Sequence, residues 1–185
     1  MTAVFIAGSI TIKNLDQLVK ERIDNIAASK FRILVGDASG VDTSIQQYLQ
    51  QIGYRNAMVY CSGCNPRNNL GDWPVHPVST NATEGTRDFF TAKDIEMAKA
   101  ADFGLMIWDT KSTGTLTNVL EILARNKKSV VFINKAKSFK TIRTVTELDE
   151  LIQCMSETAK MKAHQKMKLL DKIEVLRNGQ RKLFE

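Results

Sequence analysis

A turn rich in hydroxyl groups separates an apolar run from a helical pattern in the middle of the chain. Its sequence is Lys111-Ser112-Thr113-Gly114-Thr115. Glycine allows a ligand to approach the backbone closely, and the first turn of a helix offers unpaired N–H groups and the positive end of the helix dipole. We therefore predict that a phosphate group binds the N–H groups of Thr113 to Leu116. Ordinary capping by Ser112 or Thr113, without a ligand, is the alternative.

Two further glycine turns follow apolar runs nearer the N-terminus, at Gly8-Ser9 and from Gly36 to Asp42. Because the carboxyl ends of parallel strands meet at one edge of a sheet, we expect the three turns to form one site. Arg87 begins a later helical pattern and is a candidate phosphate partner, although Arg87, Lys93 and Asp94 also fit a surface helix with scattered charges. The predicted ligand-binding residues are Gly8, Ser9, Gly36, Ser39, Gly40, Asp42, Arg87, Ser112, Thr113, Gly114, Thr115 and Asn118.

Four aspartates near these turns are candidates for nucleophilic or acid–base chemistry. They are Asp37, Asp42, Asp94 and Asp109. Asp42 equally fits the cap or the first turn of a helix. Cys61 and Cys64 have CxxC spacing, but zinc requires four ligands and the neighbouring sequence adds only His76. We predict neither a metal ion nor a cofactor.

The elements that must position these residues alternate between strand and helix patterns. Five short apolar runs, typical of strands buried on both faces, alternate with segments of three- and four-residue apolar spacing. The pattern predicts an α/β fold with a Rossmann-like, doubly wound, mainly parallel sheet of five strands. Residues 61–86 hold all three prolines without periodicity, which predicts a lid or binding loop. The five runs are residues 3–7, 31–35, 57–60, 103–108 and 129–133.

The C-terminal part is expected to be an appendage. The chain is basic and irregular to about Arg143, and an apolar stripe then continues from Thr146 to about Asn178. One helix of this length extends roughly 50 Å, so we expect its far half to leave the body. Exposed apolar positions favour a partner, and identical chains commonly form closed two-fold dimers. We therefore predict a Rossmann-like domain at residues 1–135, and a basic linker with a helix for homo-oligomerisation at residues 136–185.

Composition limits the class of protein. The 185 residues are 43% apolar, which suits one buried core. No apolar run approaches the roughly 18 residues that span a bilayer, and no basic region precedes the first run, so we expect a cytoplasmic protein without membrane contact. Three cysteines argue against a disulfide framework. The formal net charge is +6, and the residues from Lys160 onward carry +5 of it, with eight basic and three acidic side chains.

Four successive segments resemble the SLOG superfamily of Rossmann-like nucleotide-binding proteins, especially its small stand-alone members. The segments are FIAGS, VGDASGVD, KDIEMAKAADFGLMIWD and KSTGTLTNVLEILARNKKSVVFIN, within residues 3–134. The superfamily includes the LOG phosphoribohydrolases, the DNA-processing protein A group and sensor domains for nucleotide-derived signals. The resemblance places the phosphate turn of the family on Gly114 and Thr115, and its second glycine turn on Gly36, Ser39, Gly40 and Asp42.

The resemblance implies a nucleotide or nucleotide-derived ligand, and three functions remain open. The phosphoribohydrolase members carry a glutamate in the first turn after the Gly-Thr pair, whereas this chain continues with Leu116-Thr117-Asn118. Glu121 lies roughly 10 Å along the helix from Gly114, and an amide such as Asn118 cannot act as a base. We therefore expect a sensor or binding protein. The alternatives are an N-glycosidase that uses one of the four aspartates, and a nucleic-acid-binding protein that uses the basic tail.

Overall fold

A computed structural model describes residues 1–181 of the chain. The strands are β1 (Ala3–Gly8), β2 (Arg32–Gly36), β3 (Ala57–Ser62), β4 (Val75–Val78), β5 (Phe103–Trp108), β6 (Lys128–Ile133) and β7 (Ser138–Ile142). They form one sheet in the order β4-β3-β2-β1-β5-β6-β7. Every neighbouring pair is parallel except the last, in which β7 is antiparallel to β6.

Helices cover both faces of the sheet. They are α1 (Gln17–Ala28), α2 (Val41–Gln51), α3 (Arg87–Ala100), α4 (Thr113–Leu123), α5 (Val145–Ile152), α6 (Glu157–Met167) and α7 (Leu169–Arg181). Among the helices of residues 1–181, none combines the length and the apolar character needed to cross a membrane.

Strand β1 lies at the point where the order of the strands reverses. From β1 the chain moves outward through β2, β3 and β4, and it then returns to the other side of β1 to form β5. Gly8, the last residue of β1, is in register with Ile107 of β5. The loops after these two strands run to opposite faces of the sheet, and the space between them is where open α/β sheets bind ligands.

The hydrophobic core has two parts, one on each face of the sheet. Along β1, Val4 and Ile6 pack with α1 and α2, while Phe5 and Ala7 pack with α3 and α4. This alternation follows from the two-residue period of a strand. Burial of each large side chain contributes about 1.5–3 kcal/mol. Because both faces are covered, the carboxyl edge of the sheet is the natural place for a cleft.

The sheet has seven strands, so the prediction of five was too low. The additional strands are β4 and β7, which form the two edges of the sheet. Edge strands are short and mixed in polarity, so they lack the apolar run that reveals a buried strand. Strand β4 lies inside the predicted lid of residues 61–86. This segment is also anchored by Trp73, which is 4% exposed and donates its indole N–H to the carbonyl oxygen of Tyr54 at 2.9 Å.

The prediction of one long C-terminal helix is wrong, because the segment folds into α5, α6 and α7. Ser156 starts α6 as its N-cap, and Lys168 ends it in the left-handed conformation with φ 51°. The breaks allow the apolar stripe to turn back onto the body. Ala163, Met167 and Ile173 are therefore buried in the same core as α4.

Candidate functional site

A cleft of about 650 Å³ lies at the carboxyl edge of the sheet, among the loops after β1, β2 and β5 and the helices α3, α4 and α6. Gly36 and Gly40 lie outside its lining. The other predicted ligand-binding residues line it, and these are Gly8, Ser9, Ser39, Asp42, Arg87, Ser112, Thr113, Gly114, Thr115 and Asn118. Polar and aromatic residues outside the predicted ligand-binding set also line it: Thr11, Arg67, Phe90, Thr91, Lys93, Lys111, Lys162 and Lys166.

The start of α4 leaves two backbone N–H groups available. Ser112 caps the helix, because its Oγ accepts from Thr115 N at 3.4 Å and its carbonyl oxygen accepts from Leu116 N at 3.3 Å. Thr113 N and Gly114 N have no acceptor among residues 1–181. The space where a Cβ of Gly114 would lie is open, with no atom within 4 Å other than those of its chain neighbours and its own helix backbone. The predicted anion site of four N–H groups is therefore reduced to these two.

Asp109 joins the first glycine turn to the turn before α4. Its Oδ2 accepts from Ser9 Oγ at 2.7 Å and from Thr11 Oγ1 at 3.0 Å. Its Oδ1 accepts from Lys111 N at 2.9 Å and from Ser112 N at 2.6 Å. Burial opposes ionisation of this carboxyl, but the hydrogen bonds outweigh burial and hold the pKa of Asp109 below its usual value. Asp109 therefore stays ionised and supports the two turns.

A buried lysine lies beneath the second glycine turn. Lys93 is 3% exposed, so this part of α3 does not form the surface helix with scattered charges. Its Nζ is 2.7 Å from Asp94 Oδ1 and 3.7 Å from Asp42 Oδ2. Gly36 admits this cluster, since a Cβ there would collide with the Asp42 carboxylate and the Lys93 ammonium group. Gly40 acts similarly, with φ 77° and no room for a side chain against the backbone of Ile10.

Asp37 is held on the other side of the same cluster. It is 2% exposed and receives both Arg67 Nε at 3.0 Å and Arg67 Nη2 at 2.6 Å, together with Arg67 N at 3.0 Å. The guanidinium group of Arg67 also lies 4.4 Å from the ring centre of Phe90. Asp37 does not line the cleft, whereas Asp42, Asp94 and Asp109 do. We call Asp37, Asp42, Arg67, Lys93 and Asp94 the inner cluster.

The pKa values of Asp42, Lys93 and Asp37 in the inner cluster are shifted in different directions and for different reasons. Burial raises the pKa of Asp42 to about 6, against the opposing charge of Lys93. Burial also opposes the charge of Lys93, but Asp94 and Asp42 outweigh it and raise the pKa of the lysine. For Asp37, burial is outweighed by the hydrogen bonds from Arg67, which lower the pKa of the carboxyl.

The mouth of the cleft carries four cations, Arg87, Lys111, Lys162 and Lys166, which we call the outer rim. They come from α3, from the turn before α4, and from α6. Within residues 1–181, none of the four is within 4 Å of a carboxylate. Arg87 Nη1 donates to the carbonyl oxygen of Lys166 at 3.2 Å, which connects α3 to α6 across the mouth.

Asn118 lies on the first part of α4 and lines the cleft. The residue is 5% exposed, and its Oδ1 is buried without a hydrogen-bond partner in the described part of the chain. A buried acceptor without a donor costs about 1–3 kcal/mol, so each such group calls for an explanation. Of the three unpartnered buried atoms in the described residues, those of Ser62, Asn118 and Ser129, the Asn118 oxygen is the one whose residue lines the cleft. A donor on a bound ligand would satisfy it.

In residues 1–181, no group of three or more His, Cys, Asp or Glu side chains is placed so that it could hold a metal ion. Cys61 is a buried free thiol and Cys64 an exposed one.

No protein-family model matches the sequence, and no curated protein matches it either. Among solved structures, the chain is similar to DNA processing protein A from Helicobacter pylori, a protein with a single-stranded DNA binding mode. The two chains share 15% sequence identity, with 90% of this chain and 80% of the other covered and a TM-score of 0.57. At this identity the similarity shows the fold, a Rossmann-like α/β architecture with a mainly parallel sheet. The fold agrees with the Rossmann-like architecture expected from the sequence, and the similar protein carries the name of a group that the sequence resemblance includes.

Proposed function

We propose that the cleft binds a nucleotide or nucleotide-derived ligand, with a phosphate group on the start of α4, and that the protein is a sensor or binding protein. The observation that carries the proposal is the pair of unpaired N–H groups of Thr113 and Gly114 beside the open space at Gly114. Backbone N–H groups at a helix start bind phosphate through hydrogen bonds and the helix dipole. The unpartnered Oδ1 of Asn118 supplies an acceptor for a hydroxyl or N–H group of the ligand.

The state of the aspartates favours binding over hydrolysis. Asp37 is paired with Arg67, Asp94 with Lys93, and Asp109 accepts four hydrogen bonds. Asp42 is also within 4 Å of Lys93, at 3.7 Å, but it is the candidate for the N-glycosidase alternative, because a pKa of about 6 suits a general acid or base.

Incubation with the four common ribonucleoside monophosphates separates these alternatives. We expect the nucleotides to be recovered intact by chromatography. Release of free base at about 1–10² per second would support the enzyme instead. Loss of that release in Asp42→Asn would then assign the reaction to Asp42.

Single-stranded nucleic acid is the second candidate ligand. The similar solved structure is that of a protein with a single-stranded DNA binding mode, and the outer rim offers unpaired cations to a phosphate backbone. Binding of a strand through several phosphates weakens steeply with salt, with a slope of about −0.7 per phosphate contacted. A titration of a short oligonucleotide at two salt concentrations measures this slope, and a slope near zero would contradict this candidate.

Replacement of Gly114 by valine tests the phosphate site. The side chain would occupy open space, so the fold should be retained while the ligand is excluded. Loss of two charge-assisted hydrogen bonds predicts a fall in affinity of about a hundredfold. Gly179→Val is the matched control, because Gly179 is also helical with open space around it and lies outside the cleft. Unchanged affinity in Gly114→Val, measured by calorimetry, would contradict the assignment.

A homodimer formed through α7 is also part of the proposal. An apolar groove of about 330 Å³ lies between α4 and α7, and Val175 beside it is 71% exposed. Leu170 on the same helix is 62% exposed. Leu170→Glu with Val175→Glu should reduce the mass measured by light scattering from two chains to one. A wild-type mass that corresponds to one chain would contradict the dimer.

A further inference from the structure

The outer rim includes two lysines from a helix outside the segments that resemble a known family. Lys162 and Lys166 are four residues apart and therefore lie on the same side of α6. The helix is fixed by Ala163 and Met167, which are buried against the body. Both lysines line the same cleft as Gly114. The C-terminal segment is thus one wall of the site.

The charge of the rim exceeds what one phosphate group requires. Its four cations are offset by one nearby lining carboxylate, Asp109, which leaves a net charge of +3. A terminal phosphate ester carries about −1.5 to −2 at pH 7, and the start of α4 already provides a site for it. One additional ionised phosphate group brings the ligand to about −3, which matches the rim.

The inner cluster has a net negative charge, unlike the outer rim, and this difference determines the orientation of the ligand in the cleft. Its two cations, Arg67 and Lys93, face three carboxylates, a net charge of −1. Phosphate groups are therefore disfavoured at the inner wall and favoured at the mouth. Phe90 lines the cleft beside the inner cluster, 4.4 Å from the guanidinium group of Arg67, and its ring can stack on a base there. The phosphates of a bound nucleotide would then extend from α4 toward α6.

We propose that the ligand is a nucleoside diphosphate, with one phosphate on the N–H groups of Thr113 and Gly114 and the other on Lys162 and Lys166. This inference rests on the proposed nucleotide-binding function and specifies its substrate class. It assigns Lys162 and Lys166 as the residues that distinguish a diphosphate from a monophosphate.

Calorimetric titration with four probes tests the inference. The probes are inorganic phosphate, pyrophosphate, AMP and ADP, of which the first two remove any dependence on the base. Wild-type protein should bind pyrophosphate about tenfold or more tightly than phosphate, and ADP more tightly than AMP by a similar factor. Lys162→Gln with Lys166→Gln should abolish this preference and leave the affinity for phosphate within about twofold.

The control removes the same charge from the same part of the chain. Lys160→Gln with Lys172→Gln also deletes two lysines from α6 and α7, but neither residue lines the cleft. This variant should keep the preference for the diphosphate. Glutamine favours helix formation, so both double variants should retain α6.

The outcomes separate this inference from the proposed function. If phosphate and AMP bind but the wild type shows no preference for pyrophosphate or ADP, the inference is overturned and nucleotide binding stands. If the two double variants lose the preference equally, the α6 assignment is overturned, because general charge explains it. If none of the four probes binds to the wild type, both the proposed function and the inference are overturned.

Discussion

The inner cluster and the outer rim line one cleft, yet they differ in what surrounds each charge. In the inner cluster every charged group has an opposite partner within 4 Å, and Asp37, Asp42 and Lys93 are each at most 5% exposed. In the outer rim the cations are exposed and, within residues 1–181, lack carboxylate partners. Buried charges require partners because desolvation is costly, whereas exposed charges do not. The inner cluster therefore maintains the shape of the cleft, and the rim remains available to a ligand.

The largest expected effect comes from removal of the central cation of the inner cluster. Lys93→Met keeps most of the side-chain volume but leaves Asp42 and Asp94 without their shared partner. We expect the free energy of unfolding, measured with urea, to fall by about 3 kcal/mol or more. Lys99→Met on the same helix removes only an exposed pair with Glu96 and should cost less than about 0.5 kcal/mol. Equal losses in the two variants would remove the distinction between buried and exposed charge.

The second prediction is that the contributions of Asp42 and Asp37 to stability depend on pH in opposite ways. Burial raises the pKa of Asp42 to about 6, above about 3.9 in the unfolded chain. Between these values the folded protein binds a proton that the unfolded chain does not, so the contribution of Asp42 to stability falls as pH rises through 6. From pH 7 to pH 4.5, the wild type should therefore gain about 2 kcal/mol in unfolding free energy relative to Asp42→Asn.

For Asp37→Asn we expect stability to change with pH in the direction opposite to that for Asp42→Asn. The pKa of Asp37 is lowered, so its stabilising contribution is present above the pKa of the unfolded chain and is lost as pH falls through the folded value. As pH falls, the difference in unfolding free energy between the wild type and Asp37→Asn should shrink, whereas the unfolding free energy of the wild type should rise relative to that of Asp42→Asn. Parallel pH profiles for the two variants would show that the carboxyls are equivalent.

The smallest expected effect on stability is at the rim. Lys111→Gln should change the free energy of unfolding by no more than about 0.5 kcal/mol, because the side chain is exposed. Its affinity for pyrophosphate should fall by about three- to tenfold, and less so at high salt because exposed charges are screened. A loss of stability comparable to that of Lys93→Met would place Lys111 with the structural charges.

The central strands could be predicted from the sequence because each is covered on both faces. Strands such as β1 and β5 are continuous apolar runs followed by polar turns, and parallel strands bring those turns to one edge. This reasoning located Gly8, Ser9 and Gly114 in one cleft. The start of α4 was similarly visible from Ser112 and the helical spacing after it.

The missed features depend on tertiary contacts or on weak local patterns. The position of α6 over the cleft follows from turns at Ser156 and Lys168, and a stripe of apolar residues cannot show where such turns occur. Its exposed lysines therefore resembled an ordinary solvated face. Lys93 did carry a signal, because it lies four residues before the buried Met97 and thus on the same side of α3.

The hydrogen bond from Ser9 to Asp109 joins residues 100 positions apart in the sequence. During synthesis the ribosome therefore releases β1 long before the strand that must pair with it on the side of the cleft. Until β5 emerges, one side of β1 is an unpaired edge with the apolar sequence Val4-Phe5-Ile6-Ala7. Such an edge pairs readily with other chains, and contacts between distant residues form slowly. Nascent chains that end before Phe103 should therefore aggregate, whereas chains that extend beyond β6 should be protected.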